Sequence, residues 1–121
     1  MGSADANLLV AYANPIDTLH QRARAHMGRV GPLRATLPAM LEVLHVLGKG
    51  GANLVQVVGA LDGPFLLEDI EKLFAVARTL DEGLVKTAFD AYHLVEASRA
   101  GGALHTADRE LRASAYPTVP F

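Results

Sequence analysis

At 121 residues, half of them apolar and a fifth charged, the chain has the composition of one compact globular unit rather than of a disordered tail, and a single domain over residues 1–121 is expected. It contains no cysteine, which excludes disulfides, thiolate zinc sites and a cysteine nucleophile. The net charge of −2 removes bulk attraction to nucleic acid but leaves room for a local basic face.

The longest apolar runs, such as residues 8–13, fall far short of a membrane span, and no charged-then-apolar leader with a cleavage site is visible. A cytoplasmic protein with no membrane partner is therefore expected. The first segment, residues 3–7, reads as a short strand ending at Asp5, although its residues are small rather than β-branched. One or two helical turns follow over residues 8–13, broken by Asn14-Pro15. Asp17 or Thr18 is suited to cap a helix running to about Met27, with residues 28–32 as loop. Residues 33–37 form a candidate strand. Pro38 then suits the first turn of a helix to Leu47, stopped by Gly48-Lys49-Gly50-Gly51.

Residues 52–61 are apolar enough for a helix or a buried strand, with helix the preferred reading, and residues 64–67 fit a short strand. An amphipathic helix over 68–80 places Ile70, Leu73, Phe74 and Ala77 on one face. Another over 87–100 ends at Gly101-Gly102. The chain closes with a strand at 103–106, a short helix at 108–113 and a last strand at 118–121. Short strands alternating with helices indicate an α/β class with a parallel sheet covered by helices, whose ligands sit at the carboxyl ends of the strands.

Charge is unevenly spread. Residues 1–50 carry five Lys/Arg against three acids, and residues 51–121 carry six against ten. No acid lies between Asp17 and Glu42, whereas Arg22, Arg24, Arg29 and Arg34 do, with His20 and His26 among them. The plain reading is a solvated helix face followed by a basic loop. The functional one is a phosphate-facing, RNA-binding edge supplying sequence-independent contacts.

Several standard sites are absent. The Gly48–Gly51 segment lacks the spacing and Ser/Thr of a P-loop, no serine sits in a nucleophile elbow, and no His-Glu-x-x-His occurs. What remains is a set of acids in apolar company. Glu42 lies in a helix whose neighbours are apolar nearly all round, the pattern of a buried helix, where an unpaired carboxylate costs several kcal/mol. A cation, a metal or a protonated carboxyl would compensate; alternatively, that edge of the helix reaches water. Asp90 has similar neighbours, and Thr87-x-x-Asp90 also fits a capping box. Asp5 and Asp108 each follow a strand, and either could merely cap the next helix.

Together the four acids say more. Asp5 and Asp108 fall just beyond the carboxyl ends of strands, and Glu42 and Asp90 lie on helices able to reach the same rim. Four converging carboxylates repel one another unless divalent cations neutralise them. Hard oxygen ligands without cysteine indicate Mg²⁺ or Mn²⁺, and two such ions can clamp a phosphodiester and activate a water for in-line attack.

Asp5-Ala6-Asn7-Leu8-Leu9-Val10, Leu41-Glu42-Val43-Leu44, Phe89-Asp90-Ala91-Tyr92-His93 and Leu104-His105-Thr106-Ala107-Asp108-Arg109 resemble the PIN-domain nucleases. In size and motif order the chain is most similar to the VapC-type toxins of toxin–antitoxin pairs, over essentially its whole length. The Thr-x-Asp-Arg segment after a strand, paired with an Asp-Ala-x-His helix, is the most specific part. The resemblance implies a three-layer α/β/α PIN-like domain with a central parallel sheet. Asp5, Glu42, Asp90 and Asp108 would be catalytic metal-binding acids, Asn7 would support Asp5, and Thr106 would help orient the last acid. It further implies metal-dependent endoribonuclease activity, a homodimer and a cognate antitoxin. The chain departs from the family at its start, where only Met1-Gly2-Ser3-Ala4 precede the first acid instead of an aliphatic run, and at His105, where many members are aliphatic.

Three other readings compete. Glu42-x-x-His45 and Asp90-x-x-His93 each set a carboxylate and an imidazole on one helix face, as in carboxylate-bridged di-iron bundles, although the βα alternation argues against a bundle. The same fold can serve as a non-catalytic RNA- or protein-binding module. A housekeeping RNA-processing nuclease is the third.

Overall fold

The computed structural model describes residues 2–83, 85–114 and 116–121. Its elements are α1 (Ala6–Ala13), α2 (His20–Val30), β1 (Leu33–Ala35), α3 (Leu37–Lys49), α4 (Leu54–Leu61), β2 (Phe65–Leu67), α5 (Ile70–Asp81), α6 (Ala88–Arg99), β3 (Leu104–Thr106), α7 (Arg109–Arg112) and β4 (Thr118–Pro120).

Local chemistry sets most helix starts. The side chains of Asp5, Thr36, Asn53, Asp69, Thr87 and Asp108 each accept a first-turn N–H of the helix that follows. Asp69 does so from a left-handed backbone at φ +47°, a conformation that Asp tolerates better than most residues. Helix α2 is the exception. Its N-cap is Leu19, with no side-chain cap, and the expected cap Asp17 instead accepts the Leu19 N–H at 2.9 Å, fixing the turn just before the helix. The helix also runs through Gly28, expected as loop. Buried Ala23 and Met27 hold that turn against the core, and the chain leaves the helix at Gly31, whose φ of +74° favours glycine.

Among the described residues the strands pair in parallel as two pairs, and one central sheet joining them is not seen. β1 pairs with β2 in the register Leu33–Phe65, Arg34–Leu66 and Ala35–Leu67. β3 pairs with β4 from Leu104–Thr118 to Thr106–Pro120. These are two separate two-stranded sheets. The segment before Asp5, expected as a strand, forms only a parallel bridge from Ser3 to Arg34, through Ala4 N–H to Arg34 O at 2.8 Å and Arg34 N–H to Gly2 O at 3.0 Å. Gly2, Ser3 and Ala4 have neither branched nor aromatic side chains to fill a pleated surface, so this strand stays vestigial. The chain is thus a mixed helix-and-strand protein of loosely α/β class.

One apolar cluster draws on nearly every element. Leu9 of α1, Met40, Val43 and Leu44 of α3, Val58 and Leu61 of α4, Phe65 of β2, Leu73 and Val76 of α5, and Leu94 and Val95 of α6 are all essentially inaccessible to water. Helix α3 packs on α1, α5 and α6, and α6 in turn packs on β3. Among the described residues no helix is long and apolar enough to cross a membrane.

Candidate metal centre and basic groove

The parallel register places three chain segments at one edge. Two residues beyond the aligned trio Ser3, Arg34 and Leu66 come Asp5, Thr36 and Glu68, where the strands give way to helices. Asp5 is exposed and its Oδ1 accepts the Leu8 N–H at 3.0 Å, so it caps α1. Glu68, an acid with no assigned role in the sequence reading, is committed here: Oε2 accepts the Leu37 N–H at 3.3 Å, while Oε1 faces Arg34 at 3.8 Å.

Asp108 occupies the corresponding place after β3. It is exposed, and Oδ1 accepts from the N–H groups of Glu110 at 2.8 Å and Leu111 at 3.4 Å. Its own N–H donates to Oγ1 of the buried Thr106 at 3.0 Å, so Thr106 does fix the backbone that carries this acid. Asp90 lies in the first turn of α6, half-buried, and its N–H donates to Thr87 Oγ1 at 3.2 Å. The capping pattern is therefore real, and it engages the backbone of Asp90.

Glu42 departs from the expectation of a carboxylate buried in an all-apolar helix. It is exposed, on a stripe of α3 with Pro38, Val46 and Lys49 that also faces water. Spacings of four and three residues put these positions on one arc, and composition alone does not reveal which arc is left uncovered.

The elements carrying the four acids touch in succession, α1 on α3, α3 on α6 and α6 on β3. Among the described residues none of the four has a cation within ion-pairing distance, whereas Glu68, Asp69, Glu71, Glu96 and Glu110 all do. Carboxylate oxygens are the donor chemistry that a hard divalent cation takes, and those of Asp5, Glu42 and Asp108 belong to exposed residues. Even so, no three His, Asp or Glu side chains among the described residues stand together as a ready ligand group.

The two carboxylate–histidine motifs likewise form no such group among the described residues. His45 is half-buried against Phe89, with ring centroids 6.1 Å apart, and its Nδ1 is buried with no hydrogen-bond partner among the described residues. His93 is exposed beside Tyr92.

The basic stretch splits by helix geometry. Arg22, His26 and Arg29, at i, i+4 and i+7, share one face of α2 and line a groove of about 370 Å³ with Asn7, Leu8 and Ala11 of α1. Arg24 points elsewhere, stacking on Tyr12 at 4.6 Å from the ring centroid and donating to its hydroxyl at 3.1 Å. Arg34 is on β1, paired with Glu68. His20 is tied to α1, with Nδ1 2.7 Å from Ala11 O. His26 had no separate role in the sequence reading; its four- and three-residue offsets from the two arginines were the available signal.

Compared with protein-family models, curated proteins and solved structures, the chain has no significant match to any of them.

Proposed function

We propose that the chain is a metal-dependent endoribonuclease of PIN-like type, with Asp5, Glu42, Asp90 and Asp108 as the acids that hold Mg²⁺ or Mn²⁺. One observation carries this reading: four acids with no cation within ion-pairing distance among the described residues sit on successive, mutually packed elements, Asp5 two residues beyond a parallel bridge and Asp108 two residues beyond a parallel strand. The proposal extends to a three-layer domain in which the two strand pairs and the Ser3 segment act as one central layer. It also takes over from the motif resemblance a toxin role in a toxin–antitoxin pair, with RNA as substrate, a cognate antitoxin and a homodimer.

When bound, the ions supply charge neutralisation at the scissile phosphate and an acidified water as nucleophile. The chain's own part is positional. Asp5 and Asp108 each commit Oδ1 to a helix N-terminus, which fixes the carboxylate plane and leaves Oδ2 for a ligand. Thr106 and Thr87 anchor the backbones of Asp108 and Asp90, so neither acid depends on its carboxylate alone to stay in place. Glu42 is exposed in the middle of α3, which packs on both α1 and α6.

A second reading rests on the same two caps. If capping is the whole work of Asp5 and Asp108, the chain is a non-catalytic RNA- or protein-binding module. Incubating RNA with the chain, with and without EDTA, separates the two. EDTA-sensitive cleavage that Asp108→Asn abolishes supports the nuclease. RNA binding with no cleavage in millimolar Mg²⁺ or Mn²⁺ supports the module.

A further inference from the structure

The groove between α1 and α2 is basic. Its lining holds Arg22, His26 and Arg29, an amide from Asn7 and an apolar floor from Leu8, Ala11, Leu19 and Ala23, but no acid. Among the described residues neither arginine is in an ion pair, and both are exposed. Both guanidinium groups therefore stand without a counter-charge among the described residues, and an anion lying along the groove can pair with each.

We propose that this groove binds the sugar–phosphate backbone of single-stranded RNA and leads it toward Asp5. Three features favour this occupant. The seven rises of α2 from Arg22 to Arg29 span about 10 Å at 1.5 Å each, comparable with about three nucleotides of a stacked strand at 3.4 Å each, so three donors meet about three phosphates. The guanidinium fork matches phosphate oxygens in pairs, and Asn7 adds both a donor and an acceptor for sugar hydroxyls or base edges. Leu19, 48% exposed, gives the floor an apolar patch on which a ribose or base face can rest.

Direction comes from Asn7, which is two residues after Asp5 in the first turn of α1. An occupant leaving the groove there passes the candidate metal rim. An acidic peptide would meet unneutralised carboxylates at that point, whereas a phosphodiester arrives with divalent counterions. This inference deepens the nuclease reading and rests on it for the destination of the strand, but not for the contacts.

The groove also divides the basic stretch. Arg22 and Arg29 make phosphate contacts, and Arg24 and Arg34, engaged with Tyr12 and Glu68, do not.

The test is equilibrium binding of a short oligouridine in EDTA, which keeps cleavage out of the measurement, titrated from low to high salt. Each lost phosphate contact removes about 0.7 from the salt slope for a single strand, so Arg22→Gln with Arg29→Gln should lower it by about 1.4 and weaken binding about 25-fold at 0.1 M salt relative to a 1 M reference. Arg22→Lys with Arg29→Lys keeps the charges and should restore most of the slope, which separates contact loss from misfolding. Arg24→Gln and Arg34→Gln should leave the slope unchanged. An unaltered slope in the Gln pair overturns the proposal, as does an equal loss in Arg24→Gln. So does polyglutamate that binds through Arg22 and Arg29 while oligouridine does not. Oligouridine binding through these arginines by a chain that never cuts RNA would leave the groove intact and remove the nuclease reading instead.

Discussion

Asp81, in the last turn of α5, caps a different helix: its two carboxylate oxygens accept the N–H groups of Leu54 at 2.9 Å and Val55 at 3.0 Å, the first two residues of α4. With Asn53 accepting from Gln56 at 3.1 Å, three of the four unpaired amides at that helix start are satisfied. A negative charge at a helix N-terminus adds a favourable dipole interaction, so one residue ties α4 to α5 and finishes the short helix.

Asp81→Ala should therefore destabilise the fold by about 1–2 kcal/mol, the upper range of a lost cap, because two amides lose their acceptor. Asp81→Asn keeps one acceptor oxygen and should cost roughly half as much. Urea denaturation of the three proteins checks the order. Equal stability of Asp81→Ala and the parent would show that water replaces the carboxylate without penalty.

The core gives a larger effect at Phe65. This ring is fully buried in β2 and meets Tyr12 of α1 edge-on, with centroids 5.3 Å apart. Truncating a buried Phe to Ala removes transfer energy and leaves a cavity, together about 3–5 kcal/mol. For a chain of this length the melting temperature should fall by on the order of 10 °C or more. A shift of only a degree or two would mean that the site collapses around the void or that Phe65 is not packed as described.

Much of the helical framework was legible because periodic burial is a local signal. Leu73 and Ala77 are buried and Ile70 and Phe74 half-buried, as the spacing on α5 predicts, and the preference for helix over strand at residues 52–61 agrees with α4. Gly101, at φ +79°, follows α6 as the glycine pair predicted. What escaped was non-local. The cap from Asp81 to Leu54 joins residues 27 apart, and nothing near either one announces it. The exposure of Glu42 depends on which arc of α3 its neighbours leave open. Separation of the strands into two pairs follows from pairing energies between segments too short to carry a pattern. Of the candidate site, the place of Asp108 after β3 was legible in the sequence, while the division of the arginines required α2 to have a register against α1.

The α5–α6 seam predicts a pH dependence. Lys72 bonds Glu96 of α6 and Asp69 at the start of α5, the latter at 3.0 Å. The hydrogen bond from Lys72 holds Asp69 below the usual carboxylate range, and the bonds to Glu96 and then Asp69 raise Lys72 above its usual range. The Asp69 contribution is complete above the ordinary carboxylate pKa of about 3.9 and is lost as pH falls through the lower folded value. That from Lys72 is complete below about 10.4 and is lost as pH rises through the higher folded value. Lys72→Met should consequently lower the melting temperature at neutral pH and converge on the parent at both extremes. Because these side chains are partly exposed, added salt should shrink the difference. A pH-independent gap would assign the effect to lost packing of the Lys72 side chain rather than to its charge.

The acids themselves allow a clean separation of structure from chemistry, because Asn is as good an N-cap as Asp. Asp108→Asn preserves an acceptor for Glu110 and Leu111, and Asp5→Asn does the same for Leu8. Asp90→Asn leaves the backbone bond to Thr87 untouched. All three variants should thus melt within about 0.5 kcal/mol of the parent, the range of neutral surface changes. Loss of ligand charge should nevertheless reduce Mg²⁺- or Mn²⁺-dependent RNA cleavage by 100-fold or more, which corresponds to about 2.7 kcal/mol added to the barrier. His45→Ala and His93→Ala should leave cleavage in place, since the imidazoles are not ligands in this scheme, whereas a di-iron protein would lose bound iron with either. The measurements are denaturation of each apo variant and RNA cleavage with and without EDTA. Asp108→Asn that still cuts, or activity that persists in EDTA, would make the metal assignment wrong however well the caps behave.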